Sequence, residues 1–537
     1  MTPPEAPGGS LPLDLGVFRD LFVALTEEMG AVLQRTAHSP NIVERRDYSC
    51  ALYSADGRTV AMGDHMPVHL GSMPLSVGAV REALEPGPGD VAIVNDPSAG
   101  GTHLPDLTLV QGVWLDGKGG PPAYRLANRA HHADVGGRSA GSMPLTEDVY
   151  EEGVVLPPLR LMAGGDRVEP VWRHVLANVR TPEEREGDLA AQLASLATGE
   201  RRLRAMVERY GRERVDAMGA KLLAHSARLV GELLGSVPDG RYSFEDALDG
   251  DGKGARDLRI AVEIEVSGGE ARIDFDGTAR ASGGPLNANP AVVRSAVFYV
   301  IRAFLDEDAP ANDGILDPVE IAIPEGSLLD PPWGSPVAAG NVETSQRVVD
   351  ALLGALSGAL PDRTPAASQG TMNNVTLGGE RGDGRPFTYY ETVAGGAGGH
   401  PEGPGAPGVH THMTNSLNTP IEALERSLPV RVARYRYRGG SGGAGRHPGG
   451  DGLVREIEAL APVEVTILSE RRERGPWGLG GGEDGRPGVN RVVRAGGDAE
   501  SVPAKSAFRL KPGDRLIVET PGGGGWGEAE AEGDPRS

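Results

Sequence analysis

The chain has 537 residues, a formal net charge of −22 and a single cysteine, Cys50. That length predicts several domains around a large buried core, the acidic surface argues against nucleic acid or an anionic membrane as partner, and one thiol makes no intrachain disulfide, in keeping with a reducing cytoplasm. Gly (79) and Pro (43) are abundant, but they separate apolar, patterned segments without an internal repeat, so the chain reads as a loop-rich enzyme of mixed α/β (α+β) class with several subdomains rather than as a disordered polymer.

Residues 1–12 read as a disordered lead lacking the basic and apolar stretches of a secretory signal. No apolar run approaches the roughly 20 residues of a membrane helix. The region 13–238 reads as an N-terminal α/β unit. Leu15, Phe18, Leu21, Phe22, Leu25, Met29, Val32 and Leu33 have the spacing of a helix packed on one face. Ala51–Tyr53 and Thr59–Ala61 flank the turn dipeptide Asp56-Gly57 and predict a hairpin. Strands are expected at Val91–Val94, at Leu107–Leu115 and, more weakly, at Leu126–Ala130. The charged, periodic stretch 182–235 predicts two helices. Residues 239–286 read as a small β-rich subdomain with strands at Arg256–Val266 and Ala271–Phe275. A central α/β region, 287–450, holds helices near 290–306 and 344–360 and Gly-rich loops at 395–408 and 438–450. Residues 451–527 read as β-rich, with strands at Val463–Leu468, Arg491–Ala495 and Asp514–Thr520. An acidic tail, 528–537, closes the chain.

Five of the twelve histidines fall between residues 65 and 132. The densest cluster runs from Asn95 to Asp106 and contains His103-Leu104-Pro105-Asp106; His131-His132-Ala133-Asp134 follows. An isolated loop histidine more often caps backbone groups. Imidazole and carboxylate converging from one loop, with a histidine at a strand end, instead make a mixed N/O donor set that suits Zn, Mn or Fe better than Ca or Mg. Neighbouring strand residues point to opposite faces, so His131 or His132, but not both, would join His103 and Asp106. The other, or Asp134, would orient a ligand or act as a base. His65 and His69 read as substrate-side residues.

A second cluster, His410-Thr411-His412-Met413-Thr414-Asn415, would line a substrate if extended, with His410 and His412 on one face as acid/base candidates. A third holds Asn341, Arg347, Gln369 and Asn373, whose amides and guanidinium match a polar heterocycle, or else serve as helix caps and turns. Cys50, in an apolar stretch, reads as core. There is no Gly-x4-Gly-Lys-Ser/Thr loop for ATP, and Gly522–Gly525 has no following helix to cradle phosphate.

The motifs Arg35–Ile42, Asp47–Ala51, Pro67–Met73, Gly101–Asp106, Arg129–Gly137, Gly340–Arg347, His410–Asn415 and Thr520–Gly525 occur in the order found in the hydantoinase B/oxoprolinase family. The chain resembles that family from about residue 15 to 527. The resemblance implies a cytoplasmic B-type subunit of an ATP-dependent 5-oxoprolinase or N-methylhydantoinase, working in a hetero-oligomer with an A-type partner that uses ATP to phosphorylate a small cyclic amide. It also implies a divalent transition metal on His103, Asp106 and His131 or His132. A ketone-carboxylase subunit and a non-catalytic structural partner are the competing readings. The family's Gly run is usually followed by an aromatic and Gly-Asp-Pro, whereas here Trp526-Gly527 leads to Glu528.

Overall fold

The computed structural model describes residues 12–63, 65–84, 86–115 and 120–529. The lead and most of the acidic tail expected from the sequence lie outside them. Helix α1 (Leu13–Thr36) is followed by the short α2 (Pro40–Val43). Strands β1 (Tyr48–Ser54), β2 (Thr59–Met62), β3 (Val91–Val94), β4 (Asp106–Val113), β5 (Tyr124–His131), β6 (Leu159–Ala163) and β7 (Asp166–Arg167) form one antiparallel sheet in the order β2-β1-β5-β4-β3-β6-β7. The expected hairpin is β1–β2. Helices α3 (Met73–Leu84), α4 (Glu169–Ala177), α5 (Pro182–Tyr210) and α6 (Arg212–Gly235) complete this unit.

Helices cover both faces of this sheet, so β4 and β5 are buried almost throughout. Phe18, Phe22, Met29 and Leu33 of α1 pack with Leu189, Leu196 and Leu203 of α5 over one face. Met73, Val77 and Val80 of α3 cover the other. Double-sided burial explains why β5 gives only a weak signal in the sequence. Arg125, Asn128, Arg129 and His131 interrupt its apolar run, yet all are buried; Arg129, for one, donates to Thr108, Ser72, Ser76 and the Gly100 carbonyl.

Strands β8 (Gly240–Gly250), β9 (Arg256–Ser267), β10 (Glu270–Asp274) and β11 (Val319–Ala322) form a second sheet in the order β11-β10-β9-β8. It packs on α7 (Pro290–Ala303) and α8 (Ser345–Ser357). A π-helical turn, Gly340–Thr344, leads directly into α8.

Beyond α8 come β12 (Asn374–Glu380), β13 (Pro386–Thr392), α9 (Ile421–Ser427), β14 (Val430–Arg438), β15 (Gly452–Ala459), β16 (Val463–Leu468), β17 (Val489–Val493), β18 (Ala499–Ser501), β19 (Lys505–Leu510) and β20 (Arg515–Glu519). They form two sheets, β13-β12-β16-β19 and β14-β15-β20-β17-β18, with a shared core. Both sheets pair strands from either side of residue 450, so the boundary expected at 450/451 runs through continuous hydrogen-bonded structure.

The run Gly522–Gly525 threads between other glycine-rich loops. Gly523, Gly524 and Gly525 donate to the carbonyls of Gly450, Ala367 and Glu483 respectively. A Cβ on Gly524 would lie 2.1 Å from the Trp477 carbonyl oxygen. These glycines are needed for close backbone approach, not for phosphate. Among the described residues no helix is long and apolar enough to cross a membrane.

Candidate metal centre

Asp106 is the first residue of β4 and His131 the last of β5, and the two are direct partners across the ladder. His103 enters from the loop before β4, three residues from Asp106. The His103 Nε2 to Asp106 Oδ1 distance is 3.2 Å, that from His131 Nδ1 to Asp106 Oδ1 is 3.4 Å, and the two imidazole nitrogens are 3.2 Å apart. Donor atoms on a tetrahedral zinc-sized ion at ~2.0–2.1 Å stand about 3.3 Å from one another. All three side chains are buried, around a small void of about 10 Å³. Asp106 Oδ1 has no hydrogen-bond donor among the described residues. A buried carboxylate oxygen left open beside two imidazoles fits a divalent cation of the Zn, Mn or Fe type.

The other oxygen of Asp106 is held in place. Thr102 Oγ1 donates to Oδ2, Asn341 Nδ2 lies at 3.3 Å, and His69 Nε2 at 3.4 Å. Burial opposes ionisation of Asp106, but the neighbouring His103, His131 and His69 outweigh it and hold its carboxyl well below the usual range. Burial likewise opposes a charge on His103, and Asp106 overcomes it, so that its pKa is raised. Burial lowers that of His131.

His69, expected on the substrate side, therefore sits at the triad, with its Nδ1 2.8 Å from Ser49 Oγ. Its 3₁₀ turn, Pro67–His69, packs on α7, so the contact with Asp106 is tertiary and has no sequence spacing to betray it. Sequence reasoning also missed Asp47, whose Oδ2 is 4.0 Å from His131 Nδ1, and Tyr390, which stacks on the His131 ring at 4.7 Å.

His132 points the other way, its Nε2 3.0 Å from Gln192 Oε1 of α5; burial lowers its pKa to about 4. Asp134 accepts from Arg180 Nη1 at 3.0 Å and from the Gly136 amide at 3.1 Å, clamping the turn after β5. The structure brings neither to the triad.

The remaining candidates divide between a cavity and a buried network. An open cavity of about 670 Å³ is lined by His410, His412, Asn415, Tyr299, Arg363 and His400, among others. Thr414 lines both this cavity and the small void of the triad. Both ring nitrogens of His410 are buried without a hydrogen-bond partner among the described residues. Burial, then the nearby Arg45, lowers its pKa to about 3. His412 has a left-handed backbone (φ 58°), so the segment is not extended and the shared face that extension would give is not formed. Its Nε2 is 3.6 Å from Asp350 and its Nδ1 3.4 Å from the Tyr299 hydroxyl.

His65 lies behind the cavity wall, with Nδ1 accepting from the Cys50 amide at 3.2 Å and its own carbonyl accepting from Asn415. Cys50 is buried, and its thiol is pushed up to about 12. Arg347 is fully buried among Asp246, Asp350 and Glu470 at 3.3, 3.8 and 3.6 Å. Gln369 and Asn373 bond to each other, and Asn373 also accepts from Arg472. Arg347, Gln369 and Asn373, expected to contact substrate, are held in buried networks with neighbouring segments.

The whole described core of the chain, residues 12–529, matches the family model for hydantoinase B/oxoprolinase. It is 39% identical over 547 residues to 5-oxoprolinase 1 of Arabidopsis thaliana, covering 96% of this chain but 42% of that protein. The chain therefore spans less than half the length of this relative. It is 30% identical over 522 residues to a protein of Pseudomonas sp. (strain NS671) named as the B-type part of a D-/L-hydantoinase, covering 93% of this chain and 87% of the other. The crystal structure of the ATP-dependent caprolactamase from Pseudomonas jessenii superimposes with a TM-score of 0.90 at 28% identity, covering 97% of this chain and 92% of that one.

Proposed function

The chain belongs to the hydantoinase B/oxoprolinase family, and on that premise we propose that it is the B-type, ring-opening subunit of a cytoplasmic, ATP-dependent cyclic-amide hydrolase. Its partner would be an A-type subunit that spends ATP on the substrate. The relatives support this division of labour. The Pseudomonas relative, of similar length, is named as one part of a hydantoinase, while more than half of the longer 5-oxoprolinase lies outside the match.

The observation that carries the reading is the buried triad beside an open cavity, with Thr414 on the wall of both. A cyclic amide is a poor electrophile, and phosphorylation of its oxygen by the partner makes the ring carbon attackable. His103 Nε2, Asp106 Oδ1 and His131 Nδ1 would hold a divalent transition metal. When bound, such an ion lowers the pKa of water or polarises an oxygen at the reacting carbon. Thr102, Asn341 and His69 fix Asp106 so that its open oxygen keeps its direction. The cavity has the size of a small-molecule site. His410, neutral at physiological pH, offers one N–H and one lone pair, the complement of an amide's C=O and N–H. His412 and Asn415 would complete the substrate wall. Addition of water to the phosphorylated carbon and cleavage of the C–N bond would leave an acyl phosphate, and a second water would release phosphate and give a ring-opened amino-acid derivative: glutamate from 5-oxoproline, or an N-carbamoyl amino acid from a hydantoin.

A coupled ATPase assay tests this, with the chain and its A-type partner given 5-oxoproline, hydantoins, caprolactam or small ketones, each with and without bicarbonate. Substrate-stimulated ATP use yielding a ring-opened acid without bicarbonate is expected. Turnover only with ketone and bicarbonate would replace the hydrolase by a carboxylase.

A further inference from the structure

Two buried carboxyl groups stand outside the ligand set, each linked through intervening groups to one of its histidines. Glu152 Oε1 accepts from the amides of Val337 at 2.9 Å and Ala338 at 3.0 Å, and from Thr146 Oγ1 at 2.9 Å. The Ala338 carbonyl in turn lies 3.2 Å from Nδ1 of His103. Glu152 therefore pins the peptide segment whose carbonyl receives the His103 N–H. That hydrogen bond leaves Nε2, the atom facing Asp106, as the lone-pair nitrogen.

Glu343 does the corresponding work for His131. Its Oε1 accepts from the Met372 amide at 3.0 Å and from Asn374 Nδ2 at 2.7 Å. Asn374 Oδ1 accepts from the Tyr390 hydroxyl at 2.8 Å, and the Tyr390 ring lies nearly parallel to that of His131, at 16°. The plane of His131 is thereby set by a tyrosine whose own rotation is locked through Asn374.

Both carboxyls are fully buried, and the second oxygen of each has no hydrogen-bond partner among the described residues. Such groups are costly to keep. The bonded oxygen of each satisfies buried donors and so fixes the segments that carry them, and those segments lead to His103 and His131.

We propose that Glu152 and Glu343 are positioning residues, Glu152 for His103 through the Ala338 carbonyl and Glu343 for His131 through Asn374 and Tyr390. The proposal rests on the reading of the triad as a metal site. Outer partners of this kind are worth ~10–100-fold in metal affinity.

The test is titration of the metal-free full-length chain with Co²⁺, following the visible absorption of the bound ion. Glu152→Ala and Glu343→Ala should each weaken binding by about 10-fold or more and change the spectrum. Glu152→Gln and Glu343→Gln keep an acceptor oxygen and should restore both. Where an alanine variant does not fold, Tyr390→Phe, which removes only the hydroxyl linking ring to Asn374, and Thr146→Val, which removes one donor to Glu152, should weaken binding several-fold. Folded variants with unchanged affinity and spectrum overturn the proposal. A wild-type chain that binds no Co²⁺ overturns the metal reading itself.

Discussion

Asp106 and His131 face each other across β4 and β5, and their side chains meet 3.4 Å apart at the end of the ladder. Sheet register, not chain proximity, makes this pair, and His103 is added by a three-residue loop. His103→Ala, Asp106→Ala and His131→Ala should each abolish ring opening and lower divalent-metal affinity beyond the ~100-fold upper end for outer partners. His132→Ala should leave the affinity within a few-fold of wild type. Calorimetric titration of metal into each purified variant separates these outcomes, and equal losses at His131 and His132 would reject the assignment.

Removal of metal by a chelator should stop substrate-dependent turnover while the fold survives, because the triad sits inside cores that do not depend on it. Activity should return on adding one equivalent of a divalent transition metal, and Mg²⁺ should be a poor substitute for this N/O set. Circular dichroism of the chelated protein checks the fold, and full activity after exhaustive chelation would contradict the reading.

Glu391 on β13 makes a two-pronged ion pair with Arg455 on β15, at 2.9 and 2.8 Å, and joins the two C-terminal sheets inside their shared core. Glu391→Ala leaves a buried guanidinium alone and should destabilise the chain by about 3–5 kcal/mol. Replacing both residues by apolar ones of similar size should recover most of that. Urea denaturation of the single and double variants reads the difference.

Close packing makes a separate prediction at Gly524. A methyl there meets the Trp477 carbonyl, and three neighbouring segments bond to the same glycine run. Gly524→Ala should cost about 3 kcal/mol or more, or prevent folding of the C-terminal sheets. A thermal midpoint within 2 °C of wild type, roughly the change expected from under 1 kcal/mol, would show that the loops yield.

Five buried groups with large shifts lead the pH dependence of stability. His65 and His132 are lowered to about 4 and His410 to about 3, chiefly by burial. Each unfolded imidazole binds a proton below about 6.5, so their contribution is present above that pH and is lost as pH falls through the folded values. Glu152 and Glu343 are raised by burial to about 7 and about 8. Their contribution is present below the unfolded value of about 4.5 and is lost as pH rises through 7 to 8. Between about 4.5 and 6.5 the three histidines, joined by the lowered His131, outweigh the two carboxyls, and above 6.5 the carboxyls and the raised His103 act in the opposite direction. The thermal midpoint of the metal-free chain should therefore peak near pH 6.5. A midpoint rising steadily from pH 6.5 to 8.5 would contradict these assignments.

Much of the secondary structure was legible from local pattern. The apolar stripe of α1, the Asp56-Gly57 turn, the two long helices meeting at Gly211 and the apolar runs of β3 and β16 each carry their signal within a dozen residues. Strand β5 was faint because buried polar residues break its pattern. Strand β14 was missed because its Arg and Tyr side chains are largely exposed at a sheet edge. The role of Gly522–Gly525 was hidden because it depends on which backbones come near.

By itself the sequence determined the composition class, the helices and strands with a clear period, the family resemblance and the His103-x-x-Asp106 spacing that marks two donors. Only the tertiary structure placed His131 rather than His132 beside His103 and Asp106, brought His69 to the same carboxylate, buried Arg347, Gln369 and Asn373 in networks, and linked Glu152 and Glu343 to the segments around the histidines. The physical reason is one of range. Periodicity and short spacings report what a residue's near neighbours require, whereas a metal site is assembled from strand register and from packing between segments hundreds of residues apart, such as Asp106 and Asn341.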